Sequence, residues 1–210
     1  MKKICLVLFL AATLHFTSIG QNVRVGISGG LTVSDLTGPV NEMNHGVKTG
    51  FMAGLLVDVP LNAHFTFQPQ LNYMQKGNLQ REDANSKLYN ALRYVELPFN
   101  LLYNLNTGKT VFFLGAGPSI SLNVPSKKLT VPEEGESSYN DILFGDTPEN
   151  DFRGIDWGAN VLGGIRFSNK VQFAVSYNFG LRNLSTSADP ESESIKSKCL
   201  TVQFSYIFNN

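Results

Sequence analysis

The chain has 210 residues, of which 42% are hydrophobic, and its 17 basic and 17 acidic side chains leave no net charge at pH 7. This length and composition fit one ordinary domain. The even charge balance gives no reason to expect a nucleic-acid partner, which would favour a basic protein.

The N-terminal stretch MKKICLVLFLAATLHFTSIGQ has the layout of a secretory signal peptide, with two lysines, an apolar run and then small residues. We expect residues 1–20 to be removed, with cleavage before Gln21. A retained anchor is the alternative, but a helix that spans a bilayer needs about 20 apolar residues. Cleavage leaves Cys199 as the one cysteine of the mature sequence, so no internal disulfide is expected.

Apolar and polar residues alternate with period two through residues 21–210, which predicts β-strands that each have one apolar and one polar face. In the C-terminal strand, for example, Leu200, Phe204 and Phe208 share the apolar face, and Thr201 and Gln203 share the polar face. No convincing amphipathic helix lies between the strands. The pattern predicts eight strands, at residues 23–33, 51–59, 65–75, 94–103, 111–122, 157–167, 171–182 and 198–208.

The connections between these strands alternate in length. Strands two and three, four and five, and six and seven are joined by short segments typical of tight hairpins. The other connections are long and rich in Ser, Asn, Gly, Pro and acidic residues, at 34–47, 77–90, 123–153 and 183–197. An even number of strands of about 10 residues, with short turns at one end and long loops at the other, is typical of outer-membrane barrels. We therefore predict an all-β, eight-stranded, antiparallel, up-and-down transmembrane β-barrel over residues 21–210, with both termini in the periplasm.

A soluble eight-stranded barrel of the lipocalin type also shows this alternation. Its polar face would meet water and would carry many Lys and Glu side chains. Here the polar face consists mostly of Gly, Ser, Thr, Asn and Gln, while the lysines cluster in loops, turns and strand ends. Small polar side chains suit the crowded interior of a narrow barrel, and aromatic residues near the strand ends suit the two interfacial girdles. The pattern favours an apolar face that contacts lipid.

Four segments, QPQLNYMQKG, YVELPFNLLY, FFLGAGPSISL and YNFGLRN, resemble recurring segments of the PorT-like outer-membrane β-barrel domain family. The resemblance covers residues 22–208 in order, and the combination of segments is more specific than any one of them. It implies an outer-membrane location. It also implies a role that in a few such barrels is assistance with protein secretion or surface attachment.

The last strand also resembles the C-terminal signal that the barrel-assembly machinery reads. Tyr206 and Phe208 form its aromatic pattern, with the difference that Asn209 and Asn210 follow the final Phe. The resemblance implies that this machinery is a partner.

Several charged residues fall on the polar face and are expected to form a charge network inside the barrel. If the first two strands pair symmetrically about residue 41, Arg24 faces Asp58. If the sixth and seventh pair about residue 169, Asp156 faces Arg182. Glu96 has no opposite charge on a neighbouring strand and is expected to cross the interior to Arg24 or Arg166.

Two interpretations of these charges stay open. The first is structural, with the charges neutralising one another inside a barrel filled by side chains. The second is that they line a small polar pathway, although eight strands leave an interior only just wide enough for side chains.

Catalysis is a further alternative, because some eight-stranded outer-membrane barrels modify lipids with a His, a Ser and a carboxylate near the outer rim. Ser34, Asp35 and His45 on the first long loop have the residue types that acyl transfer needs. Such residues are common in loops, so no enzymatic activity is expected. No metal cluster, phosphate loop or nucleotide motif occurs in the sequence, and no cofactor is expected.

The longest loop, residues 123–153, is acidic. Two interpretations stay open for it. One is a solvated acidic loop. The other is a docking surface, because the segment YNDILF places apolar Tyr139, Ile142, Leu143 and Phe144 in an acidic setting. Divalent cations could bridge its carboxylates to lipopolysaccharide, although the spacing defines no metal site. We expect an interaction or scaffold barrel that presents loops to a partner, and a ligand-transporting barrel is the alternative.

Overall fold

The computed structural model describes residues 23–37, 46–83, 86–132, 136–147, 149–168, 170–186 and 194–208. The predicted signal peptide, residues 1–20, and His45 of the first loop lie outside these ranges. Within them, no helix is both long and apolar enough to span a membrane.

Nine strands occur in the described residues, and eight of them close into one antiparallel barrel. The sheet order is β4-β3-β2-β1-β9-β8-β7-β5, and additional pairing between β4 and β5 closes the ring; β6 is a short strand that pairs only with β5. The predicted eight-stranded, up-and-down, all-β architecture is therefore confirmed. The strands are β1 (Arg24–Thr37), β2 (Gly46–Pro60), β3 (Phe65–Asp83), β4 (Ser86–Asn106), β5 (Thr110–Pro132), β6 (Ser138–Asp141), β7 (Ile155–Phe167), β8 (Val171–Gly180) and β9 (Lys196–Ile207).

The two ends of the barrel differ as the connection lengths predicted. Short connections at residues 61–64, 107–109 and 168–170 lie at one end, here called the turn end. The long connections lie at the other, here called the loop end. Tight turns set the register of the strands that they join, and the observed pairing of Gly158 with Gly180 is the one expected for symmetry about residue 169.

The apolar face of each strand points outward. Leu31, Leu55, Leu114 and Phe204 are among the exposed large apolar side chains, whereas polar neighbours such as Thr201, Gln203 and Ser205 are buried in the interior. Such an arrangement is the reverse of a soluble protein, which buries its apolar face.

Two of the predicted long loops are largely strand. β3 and β4 remain paired as far as Asp83 and Ser86, so the segment predicted as a loop at 77–90 is the end of a hairpin. β5 continues to Pro132 and pairs with β6, which places a second hairpin inside the predicted loop 123–153. Both differences have one cause, since the antiparallel ladder keeps satisfying backbone groups beyond the barrel wall.

Gly77 has a special backbone conformation near the loop end of β3. Its φ is +144°, and a Cβ there would lie 1.8 Å from the carbonyl oxygen of Asn90. Only glycine tolerates both conditions, and Gly77 stays paired with Ala91 of β4.

A substitution at Leu31 tests whether the outward face contacts lipid or water, because this side chain is 69% exposed on β1. If this face contacts lipid, Leu31→Arg is expected to destabilise the protein by up to about 2–4 kcal/mol. The matched control is Leu143→Arg, because Leu143 is 57% exposed but lies outside the barrel strands. The control should change stability by no more than about 0.5 kcal/mol.

Urea unfolding in phospholipid vesicles, followed by the fluorescence of the single tryptophan, measures the stability of both variants. Equal small effects would argue against lipid contact.

Candidate functional site: the barrel interior and its cap

A cluster of charged and amide side chains lies at the turn end of the interior, around Asp58. Arg24 donates to one carboxylate oxygen of Asp58, as the register about residue 41 predicted. The other oxygen accepts from Arg166 Nη2 at 2.7 Å and from Gln68 Nε2 at 2.9 Å. Arg166 also donates from Nε to Gln172 Oε1 at 3.1 Å. Asp58 is fully buried, and these charge-assisted hydrogen bonds offset its loss of hydration.

A second buried ion pair joins Lys76 and Glu96 nearer the loop end. Ser121 Oγ donates to the same carboxylate oxygen at 2.8 Å, and the Lys76 ammonium lies 5.2 Å from the centre of the Tyr94 ring. The expectation that Glu96 reaches across to Arg24 or Arg166 is therefore wrong. Both arginines already bond Asp58 at the turn end.

Lys76 was missed because predicted strand three stops at Gln75. The alternation of the strand could have identified it. The even-numbered residues Gln70, Asn72 and Met74 are all buried in the interior, and Lys76 is the next residue of that series. A strand carried one residue further would have placed this lysine inside the barrel.

The predicted pair of Asp156 with Arg182 does not form. Asp156 accepts a hydrogen bond from Ser197 Oγ at 2.6 Å. Arg182 instead donates to the carbonyl of Ile155 at 3.0 Å and to Asp146 at 3.3 Å. The last bond to β7 is from Leu181 N to Trp157 O at 2.9 Å, so Arg182 lies just beyond the ladder that would have placed it opposite Asp156.

Amide and hydroxyl side chains fill the middle of the interior. Gln70 Oε1 accepts from Asn72 at 3.2 Å and from Gln203 at 3.3 Å, and Asn178 donates to Asn160 at 2.6 Å. The cavity among these side chains has a volume of about 30 Å³, enough for little more than one or two water molecules. The structure here leaves no room for an organic solute.

Apolar side chains close the interior at the loop end. Ile142, Phe152 and Leu184 are buried there, and Phe144 packs against them; these four residues are called the cap. They contact an apolar ring on the barrel strands, formed by Leu36, Met52, Met74, Leu92, Tyr94 and Cys199. Backbone hydrogen bonds hold the cap, from Arg153 N to Leu184 O at 3.0 Å and from Leu184 N to Ile195 O at 2.8 Å.

The cap corrects the predicted loop interface. Ile142 and Phe144 belong to the cap: Ile142 is buried and Phe144 is partly buried against the same cluster, which takes apolar surface out of water. Tyr139 and Leu143 point outward and are 62% and 57% exposed. An apolar surface for a partner is thus reduced to these two residues of the original four.

The aromatic residues of the predicted assembly signal lie together at the turn end. The rings of Tyr206 and Phe208 are 5.3 Å apart, centre to centre, and both are partly exposed on the outward face. Phe208 follows the last residue of β9, and its N–H donates to the carbonyl of Val25 at 2.7 Å.

Two of the three residues considered for acyl transfer lie in the described part of β1. Ser34 Oγ accepts from Gly77 N at 2.9 Å and lies 3.0 Å from Gly77 O, to which it donates. Asp35 accepts from the N–H of Leu36 at 2.8 Å. Both side chains thus form hydrogen bonds with backbone groups. No group of His, Cys, Asp and Glu side chains that could hold a metal ion occurs in the described ranges.

Comparison with known protein families assigns the chain to one of them. The outer membrane protein beta-barrel domain family matches residues 19–186. This chain belongs to that family. The outward apolar face is therefore the lipid-facing surface of an outer-membrane protein. A search of curated proteins found no match.

Solved structures with a similar fold share little sequence. The outer-membrane protein OprG from Pseudomonas aeruginosa has a TM-score of 0.52 and 11% identity, with coverage of 90% of this chain and 97% of OprG. Neisserial surface protein A has a TM-score of 0.47 and 14% identity, with coverage of 88% and 97%. The attachment invasion locus protein Ail of Yersinia pestis has a TM-score of 0.45 and 13% identity, with coverage of 90% and 100%.

The Lys76–Glu96 pair allows a direct test of how the interior is stabilised. Glu96→Ala leaves Lys76 buried without its carboxylate, so unfolding in urea is expected to show a loss of about 3–5 kcal/mol. The double variant Lys76→Met/Glu96→Leu removes both charges and should recover most of that stability, since apolar replacements of a buried pair are often neutral. A single variant as stable as the wild type would show that water already solvates the pair.

Proposed function

We propose that this protein is a non-catalytic outer-membrane barrel that does not conduct solutes and that presents its loop-end hairpins to a protein partner outside the cell. In this proposal the turn end and both termini face the periplasm. The observation that carries it is the contrast between a filled, capped interior and an exposed hairpin.

The interior supports the non-conducting part of the proposal. A solute pathway would need continuous space, whereas the middle of the barrel has a cavity of about 30 Å³ and the cap buries Ile142, Phe152 and Leu184 over the loop end. Opening a pathway would expose the apolar ring to water, which costs free energy in proportion to the area exposed.

The β5–β6 hairpin and the segment after it support the interaction part. Tyr139 and Leu143 are exposed there, and Lys127 lies 5.8 Å from the centre of the Tyr139 ring. An ion pair between Lys128 and Asp151 holds the segment against β5. Because the segment is anchored at both ends, the two apolar side chains are presented with little loss of conformational entropy on binding.

The resemblance to PorT-like segments supports a narrower version, in which the partner belongs to a secretion or surface-attachment system. Lipopolysaccharide around the loop end and the barrel-assembly machinery at the turn end are proposed as further partners. The exposed aromatic pair of Tyr206 and Phe208 is the feature that this machinery would read.

Paired variants of the hairpin test the main proposal. Tyr139→Ser/Leu143→Ser removes the exposed apolar surface but leaves the cap, so we expect a folded barrel that loses its partner in pull-downs from outer membranes. Ile142→Ala is the matched control. It removes a buried neighbour and should lower the free energy of unfolding by about 2–5 kcal/mol while the partner is retained.

Conductance recordings in lipid bilayers test the alternative, a transporting barrel. The wild-type protein is expected to show no steady conductance. If the Tyr139/Leu143 variant keeps every partner and the wild type passes ions or solutes, the interaction proposal fails and a transporting barrel replaces it.

Phe208 tests the proposed contact with the assembly machinery. Phe208→Ala is expected to reduce the amount of folded protein in the outer membrane and to increase periplasmic degradation. Phe179→Ala is the control, since Phe179 is similarly exposed on the outward face but lies away from the C-terminus. Heat-modifiable gel migration of membrane fractions measures folded protein. Equal levels for the two variants would show that the terminal aromatic is no signal.

A further inference from the structure

A basic cavity lies at the turn end of the barrel, on the opposite side from the cap. Its volume is about 230 Å³, and its lining includes the side chains of Arg24, Lys109, Arg166 and Lys170. Among the described residues that line it, none carries a carboxylate. The cavity is therefore large enough for a small charged group and strongly biased towards an anion.

Asp58, which pairs with both arginines of the cavity, does not neutralise this charge. Asp58 carries one negative charge, and its two oxygens already accept hydrogen bonds from Arg24, Arg166 and Gln68. Neither Lys109 nor Lys170 forms an ion pair with a described residue. Four cations thus face one fully occupied carboxylate.

Arg24 retains unused hydrogen-bonding capacity beside the cavity. Its Nη2 donates to Asp58, while its buried Nε has no hydrogen-bond partner among the described residues. Because that Nε is buried, an anion in the cavity would contact the rest of the guanidinium, and the Arg24 side chain is 33% exposed. Guanidinium groups suit phosphate oxygens in particular, because their planar donors match the geometry of those oxygens.

The two lysines are held by the backbone of the turns that carry them. Ser168 N donates to Lys109 O at 3.1 Å, which ties the β7–β8 turn to the β4–β5 turn. Ile207 N donates to Lys170 O at 3.0 Å, which ties the same turn to β9. The cationic side chains therefore start from fixed backbone positions around the cavity.

Lys170 also occupies an unusual backbone conformation for its residue type. Its φ is +74°, in the left-handed region where glycine is accommodated without strain and lysine is not. This conformation belongs to the turn, because Lys170 N donates to Phe167 O at 3.1 Å and three-residue hairpin loops commonly end in a left-handed residue.

The position of the cavity relative to the aromatic girdle indicates the source of its ligand. Phe167 lines it and is exposed on the outward face, and other exposed aromatic residues surround the same end of the barrel: Phe65, Tyr103, Phe112, Tyr206 and Phe208. Aromatic girdles of outer-membrane barrels lie at the level of the lipid headgroups. Basic pockets at that level bind anionic headgroups.

We propose that the turn-end cavity binds a phosphate group, which the headgroup of an anionic phospholipid in the adjoining leaflet supplies. Arg24 and Arg166 hold the phosphate at the barrel mouth, and Lys109 and Lys170 complete its charge neutralisation from the turns. The site is separate from the hairpin surface and does not depend on which partner that surface binds.

Native mass spectrometry of the detergent-solubilised protein tests the proposal with three probes: short-chain phosphatidylglycerol, the diacylglycerol with the same chains, and inorganic phosphate. The wild type is expected to retain phosphatidylglycerol in preference to diacylglycerol, and phosphate should compete only at higher concentration. If phosphate alone binds as tightly as the lipid, the phosphate site stands and free phosphate is its source. If diacylglycerol binds as well as phosphatidylglycerol, no phosphate is recognised and the proposal is overturned.

The variant Lys109→Gln/Lys170→Gly separates binding from folding. Glycine removes the charge of Lys170 and suits its positive φ, so heat-modifiable migration should be unchanged, while affinity for phosphatidylglycerol should fall about tenfold. The control, Lys196→Gln/Lys198→Gln, removes the same charge from two exposed lysines of β9 at the loop end and should bind as the wild type does. Wild-type affinity in the first variant, or an equal loss in both, would overturn the proposal.

Discussion

Closure of the hydrogen-bonded ladder between β4 and β5 is the constraint on which the rest of this structure depends. A membrane-embedded sheet cannot leave its edge groups unpaired, because lipid offers them no hydrogen bonds. Closing the ring satisfies the edges of the eight barrel strands but leaves an interior only wide enough for side chains. Some inward positions have no room for any side chain. At Gly30 a Cβ would lie 2.3 Å from the carbonyl oxygen of Val202.

A narrow interior that contains charges must also pair them within reach. Asp58 is bonded by two arginines and a glutamine at the turn end, and Glu96 is bonded by Lys76 and Ser121 nearer the loop end. Between these clusters the amides of Gln70, Asn72 and Gln203 bond one another. This arrangement cross-links strands through their side chains as well as through the ladder, and it leaves one end basic.

The two ends consequently have different chemistry. At the loop end the chain folds back, buries Ile142 and Leu184 as part of the cap, and leaves Tyr139 and Leu143 outside. At the turn end the excess of arginine and lysine over Asp58 surrounds an open cavity. Both proposed interactions therefore involve the rims, because the space between them is filled.

The sequence by itself determined the features that depend on local periodicity. Alternation assigned lipid to Leu200 and the interior to Thr201, and the tight turns set the register that brings Arg24 to Asp58. Only the tertiary structure decided contacts that depend on where the chain leaves the ladder. The chain leaves the ladder after Leu181 and buries Leu184 in the cap, and Arg182 bonds Asp146 instead of Asp156. Likewise, no periodicity separates Ile142 from Leu143, because the cap has no regular secondary structure and its burial arises from packing against distant strands.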